Sequence, residues 1–251
     1  MPHSFIYFFL FVFGTIIGSF SNVCIYRIPL KQSVITPSSF CPSCMSPIKF
    51  YHNIPILSYI YLKGSCPSCH TRIPFRYPLV ELLTGLIYIA LYMKFGLSLG
   101  FFVFILLCTA LVIIAFIDLE NRIIPDKITL PGIVVGLLLS FFTISFVNSL
   151  LGLFVGGGIF FLIAFIKRGG MGGGDIKLMA MIGSFLGWQG SLMTILIGSI
   201  AGSIIGIILL LKKRKGIKDI IPFGPFLAFG GISYILLGEE FFKWYFYLVG
   251  L

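Results

Sequence analysis

Long apolar runs alternate with short polar connections along nearly the whole chain. A helix needs about 20 residues to cross about 30 Å of hydrocarbon, and most of the runs are close to that length. The first extends from about Phe5 to Tyr26. A polar insert, Arg27–Pro78, interrupts the pattern. Further runs cover about Leu79–Met93, Leu99–Ile117, Ile128–Phe146 and Leu150–Ile166. The stretch Ile176–Leu211 is too long for one crossing, and Gly187-Trp188-Gln189-Gly190 is its natural break. A last run, about Pro222–Leu237, leads into a short aromatic tail. The pattern predicts an all-α polytopic membrane protein with about eight transmembrane helices and one small polar insert. The first run has no basic segment before it and no small-residue cleavage site after it. It therefore reads as a retained helix and not as a signal peptide.

Composition agrees. Of 251 residues, 58% are hydrophobic and 10% charged, against about 25% charged in a soluble domain. Disorder is excluded, because it requires low hydrophobicity. The net charge is +10, which in a soluble protein would suggest nucleic acid. Here it has a topological reading. With eight spans the loops alternate sides, and 16 of the 18 Lys and Arg fall on one face; only Lys94 and Lys243 lie on the other. The positive-inside rule makes the rich face cytoplasmic and puts both termini outside. Without the break at Gly187–Gly190, Lys212–Lys218 would lie on the wrong face, so the charge pattern supports it. This basic segment reads as a topology determinant and a contact for anionic lipid, and no nucleic-acid partner is expected.

The insert carries Cys41-Pro-Ser-Cys44 and Cys66-Pro-Ser-Cys69, with 21 residues between the two hooks. Two such hooks can supply four thiolates to a structural zinc, in a compartment where disulfides are disfavoured. Redox pairs or free thiols are the alternatives. An insert of about fifty residues has too little core to stand without a staple. Cys24 and Cys108 lie in apolar runs and read as small core residues.

Only eight residues are acidic, and two of them head distinctive motifs. Asp118 follows the third run, in Ile117-Asp118-Leu119-Glu120-Asn121-Arg122. Asp175 ends a glycine-rich loop, in Gly172-Gly173-Gly174-Asp175-Ile176-Lys177. Both fall on the same predicted face. Two neighbouring carboxylates can share a proton, activate water and protonate a departing amine, as in an aspartic protease. The spacing of a phosphate-binding loop is absent. Asp118 lies at a helix C-terminus and Asp175 at a helix N-terminus, so the helix dipole predicts that Asp175 is the ionised base and Asp118 the acid. Gly172 and Gly174 support the second loop, as a mobile closing segment or a tight turn. Lys177 is expected to face Asp175 or lipid phosphate. Glu81 is expected to receive a substrate amine or to pair with Arg76 or Arg72.

These motifs together resemble the bacterial type IV prepilin peptidases, the leader peptidase/N-methyltransferases, whose GxGD pattern is shared with presenilin-like membrane aspartyl proteases. The resemblance runs through Gly18-Ser19-Phe20-Ser21-Asn22-Val23, Tyr26-Arg27-Ile28-Pro29, the double hook and Asn53-Ile54-Pro55. It continues in Arg76-Tyr77-Pro78-Leu79-Val80-Glu81-Leu82, the Asp118 motif and Gly172–Leu178. It implies an enzyme that cuts the basic leader from prepilins and pseudopilins after a glycine, with Asp118 and Asp175 as its catalytic pair. It also implies methylation of the new N-terminus with S-adenosylmethionine, with Cys41, Cys44, Cys66 and Cys69 on zinc. Glu120 takes a position where the family often has a second acid. Many members have Gly-Lys before the third cysteine; here Gly64 matches and Ser65 does not. The implied division is a first membrane helix (1–26), a cytoplasmic zinc-binding insert associated with methyl transfer (27–78, with Gly64, Arg76 and Glu81 in or beside it) and a membrane peptidase core (79–251). A peptidase without methyl transfer is the nearest rival. A zinc-domain transporter or scaffold is a more distant one, since it leaves the aspartates without a task and predicts ionisable groups in mid-span.

Overall fold

The computed structural model describes residues 3–167, 171–212 and 221–249. Arg168, Gly169 and Gly170 of the glycine-rich loop, and Lys213–Lys218 of the basic segment, lie outside the described residues. Within them the chain is all-α: α1 (His3–Arg27), a 3-10 turn at Phe50–His52, α2 (Leu57–Tyr61), α3 (Arg76–Phe95), α4 (Leu99–Asn121), α5 (Asp126–Ser140), α6 (Phe146–Ile166), α7 (Gly173–Leu211) and α8 (Gly224–Val249). Five of these, α1, α3, α4, α6 and α7, are long and apolar enough to cross a membrane. This is a multi-pass membrane protein. The chain forms two compact units, Met1–Leu97 and Ser98–Leu251.

In the first unit α1 and α3 pack antiparallel. The rings of Tyr7 and Tyr92 meet edge-on at 5.5 Å. Near the other end the Asn22 amide donates to the Tyr77 carbonyl at 3.0 Å. The insert leaves α1 at Arg27, whose buried guanidinium donates to the carbonyls of Ser33, Pro37 and Ser38. A charge at a helix end is thus spent on folding back the chain that follows.

In the second unit serines start two of the helices. Ser98 accepts the Phe101 N–H and Ser145 the Asn148 N–H, each at 3.4 Å, satisfying orphan amides of the first turn. Leu111, Ile114 and Ile117 of α4, Leu178, Met179 and Ile182 of α7, and Leu227 of α8 are fully buried. Two features depart from hydropathy. α5 stops at Ser140, although the apolar run continues to Phe146, because Ser140 and Leu139 carbonyls close turns at Phe142, Thr143 and Ser145 before the next cap. α8 continues to Val249, through the predicted tail.

α7 contains 39 residues, and its helix is broken at Gly187 (φ 73°, ψ −178°). That is a glycine-only conformation, and it falls at the break predicted from length and charge. A buried break in a helix is tolerated when its freed groups find partners inside the protein. Here the Trp188 N–H donates to Asn148 Oδ1 at 3.4 Å, and the Gly187 carbonyl accepts the Ser191 hydroxyl at 3.0 Å. The same hydroxyl reaches the Gly152 carbonyl at 3.0 Å, where α6 and α7 touch backbone to backbone at Gly152 and Gly183. Small residues permit such close approach between membrane helices.

A methyl at Gly187 would be strained by its φ and would lie 2.7 Å from the Asn148 side chain. Gly158 has open space around it. Gly187→Ala is expected to destabilise by about 1–3 kcal/mol, seen as a Tm several degrees below that of Gly158→Ala in a detergent melt of the two proteins.

Candidate active site

Asp118 lies in the last turn of α4, and its backbone carbonyl accepts the N–H of Arg122 at 2.9 Å. Arg122 ends the helix in the left-handed region (φ 56°), and an extended Ile123-Ile124-Pro125 leads on to α5. The Asp118 side chain is 5% exposed. Its Oδ2 accepts the backbone N–H of Gly224 at 2.9 Å. Gly224 is the first residue of α8, so this amide is one that the helix cannot satisfy itself. A Cβ on Gly224 would stand 2.7 Å from that oxygen, so any other residue would push the carboxylate off its donor.

Asp175 is the third residue of α7. A Cβ on Gly172 would lie 2.9 Å from its Oδ2. Its Oδ1 is screened from solvent and has no hydrogen-bond partner among the described residues. Gly174 sits against Ile124 of the segment that leaves α4; a Cβ there would come within 2.8 Å of it. This packing brings the start of α7 to the end of α4, and the two carboxylates are near enough for their charges to repel. The dipole argument for unequal roles loses its basis. α8 adds a second helix N-terminus, so Asp118 and Asp175 both meet one.

Lys177 faces elsewhere than expected. Its Nζ reaches both oxygens of Asp126, at 2.7 and 2.8 Å. This pair ties the first residue of α5 to the second turn of α7 and holds the two ends of the Ile124–Gly174 contact. Gly224 is the residue of the candidate site that the sequence pattern did not bring forward. Its signal was the Gly224-Pro225 pair opening the last apolar run, since proline favours the first turn of a helix. Glu120 is exposed at the end of α4.

In the first unit the sulfur atoms of Cys41, Cys44, Cys66 and Cys69 all lie within 4.8 Å of one another. Cys41 and Cys69 are 3.8 Å apart, and Cys44 and Cys66 4.0 Å. A tetrahedral zinc with bonds of about 2.3 Å needs sulfurs about 3.8 Å apart. The hooks are local copies of one another. Met45 and His70 have φ 58° and 57° and return their amides to Cys41 and Cys66 at 2.8 and 2.9 Å. Backbone amides of Cys69 and Ser68 pull the Cys66 thiol down to about 6, and the Ser46 hydroxyl lowers Cys44. Burial raises Cys41. The donor set therefore suits a structural zinc and holds no histidine.

The other candidates are engaged separately. Gly64 (φ 66°) turns the chain beneath the Tyr59 hydroxyl. The Arg76 guanidinium lies 4.8 Å over the Tyr77 ring. Glu81 is buried, and its Oε2 accepts the Ile56 N–H at 2.8 Å.

Residues 12–95 match the family profile described as the bacterial peptidase A24 N-terminal domain, and residues 105–207 that of the type IV leader peptidase family. A relative from Bacillus subtilis (strain 168), named prepilin leader peptidase/N-methyltransferase, is 37% identical over 239 residues, which is 94% of this chain and 96% of its own. One of the same name from Aeromonas hydrophila is 35% identical over 267 residues (94% and 92%). Another, from Myxococcus xanthus (strain DK1622), is 41% identical over 214 residues (82% and 64%). No solved structure matches.

Thiolates bind metal and thiols do not, so acid should strip the cluster. The purified protein is expected to hold one zinc per chain by elemental analysis at pH 7.5 and to lose it on dialysis at about pH 4. Cys66→Ser should lower the zinc content at neutral pH.

Proposed function

The chain belongs to the type IV leader peptidase family, and on that premise we propose that it removes the basic leader from type IV prepilins and pseudopilins at the cytoplasmic face and then methylates the new N-terminus. The single observation that carries the peptidase reading is the approach of buried Asp118 and part-buried Asp175, with one Asp118 oxygen held by Gly224 and the screened Oδ1 of Asp175 without a partner among the described residues. Oδ2 of Asp118 is committed as an acceptor, so the one proton that the pair shares belongs to the remaining oxygens. The ionised carboxyl takes a proton from water as its oxygen attacks the scissile carbonyl carbon. The protonated carboxyl gives its proton to the leaving nitrogen as the C–N bond breaks. The leader departs with a carboxylate and the mature pilin with a free amine. The pair titrates jointly.

Methyl transfer consumes that amine. The methyl passes from the sulfonium of S-adenosylmethionine to nitrogen, a proton is released and S-adenosylhomocysteine leaves. We assign this step to the first unit, with Gly64, Arg76 and Glu81 in its neighbourhood and zinc on the four cysteines holding the insert folded. The Gly64-Ser65 departure favours one second reading, a peptidase without methyl transfer. The break at Gly187, together with the charge count, supports eight spans with the aspartates and the insert cytoplasmic and both termini outside.

Mass spectrometry of a prepilin incubated with the purified protein and S-adenosylmethionine tests both activities. Leader loss is expected, with an added methyl. Asp118→Asn and Asp175→Asn should each lower kcat by more than about 10³-fold. If either variant still cuts at the native rate, the two-aspartate reading is wrong. Cleavage without methylation supports the second reading. Gly224→Ala should leave a folded protein with kcat down by about 10²-fold, because displacement of a catalytic group by about 1 Å costs that much. An unchanged kcat would remove Gly224 from the site.

A further inference from the structure

The insert contains a helix that is inside out. In α2, Leu57, Ile60 and Tyr61 stand at i, i+3 and i+4 and share one face, yet they are 65%, 66% and 79% exposed. The polar Ser58 is the buried one. It donates to the Tyr51 carbonyl and accepts the Ile54 N–H, each at 3.0 Å. Phe50, in the preceding turn, is 86% exposed. From Ile54 to Leu62 the chain carries no charge, and Lys49 and Lys63 flank it. In water this arrangement would be costly, since each exposed apolar side chain forgoes the gain of burial.

The depth of α2 is fixed by what holds it. Ile56, the residue before α2, donates its N–H to Glu81 at 2.8 Å. Glu81 is the sixth residue of α3, so it lies about 7.5 Å along that helix from Arg76. α3 has 20 residues and is about 30 Å long, no more than the hydrocarbon it must cross. It has no spare length with which to lift its second turn into the cytoplasm. The Tyr59 ring also packs on Phe75, the residue before α3, at 6.5 Å.

We infer that the Phe50–Tyr61 face lies in the bilayer, at the boundary between headgroups and acyl chains. Interfacial helices bury an apolar face about 5–10 Å deep, which is the depth at which Glu81 holds Ile56. Aromatic rings and tyrosine hydroxyls suit that layer. Lys49, whose ammonium lies 5.8 Å from the centre of the Tyr51 ring, and Lys63 flank the apolar segment as residues that suit anionic headgroups. The insert is then anchored through α2 as well as through the two helices it joins. The same hydrogen bond gives buried Glu81 a structural task, that of setting how deep α2 lies.

Tryptophan fluorescence of the full-length protein tests this. Trp188 and Trp244 are replaced by Phe, and a single tryptophan is introduced as Tyr61→Trp or, as an independent second variant, Ile60→Trp. Each protein is reconstituted in phosphatidylcholine–phosphatidylglycerol vesicles. Lipids brominated near the carbonyl end of the chain should quench the emission severalfold more than aqueous iodide, and the emission should be blue-shifted. Quenching by iodide and not by lipid would mean that the face is in water. Protection from both would mean that protein covers it, as with a docked peptide. Either result overturns the inference, and neither depends on the protein having peptidase activity.

Discussion

The first amides of a helix have no partner within it, and where the protein buries them something else must accept them. At the start of α8 that acceptor is Asp118. The bond between the Gly224 N–H and Oδ2 satisfies an otherwise orphaned donor and fixes a carboxylate in a place where a free charge would be expensive. Much else in the second unit follows from it. The carboxylate must arrive at the end of α4, so α4 turns off at Arg122. The segment that leaves it must stay close, so Ile124 packs on Gly174. That contact delivers Asp175, and the Lys177–Asp126 pair closes it from the surface. The hydrogen bond that completes the start of α8 is thus also the one that positions the candidate carboxylate.

The first unit solves a different problem. A short polar insert between two apolar helices has little core of its own. Three devices replace one. Arg27 folds the chain back at the exit from α1. Four cysteine sulfurs bring the two hooks close enough to share one metal. Glu81 holds Ile56 at the entry to α3. None of these requires a large buried apolar area, which is why the insert can leave the apolar face of α2 uncovered.

What could be read in the chain beforehand was what its spacing encodes. The four cysteines, the two aspartate motifs and the break at Gly187 each have a local signature, and hydropathy together with lysine placement located the break. The rest depends on partners distant in sequence. Nothing beside Gly224 names Asp118, which is 106 residues away. Lys177 is expected from the sequence to face Asp175 or lipid phosphate, whereas its partner is Asp126, 51 residues away. Of the partners expected for Glu81 the structure shows neither Arg76 nor Arg72; its Oε2 accepts the main-chain amide of Ile56, 25 residues away. The early end of α5 at Ser140 was hidden because hydropathy counts Phe141 and Phe142 as membrane residues without regard to the turn they occupy.

The donor that holds Asp118 belongs to the main chain, and no codon specifies it. Substitution at position 224 can obstruct the bond but cannot delete it, save by proline. An alanine scan would therefore record a collision where a bond stands. A second-site suppressor would have to make room around the carboxylate, because no side chain elsewhere was ever its partner. In the genetics of such a site, the glycine would look intolerant for its bulk-free shape, while the interaction it serves would leave no covarying residue except the aspartate itself.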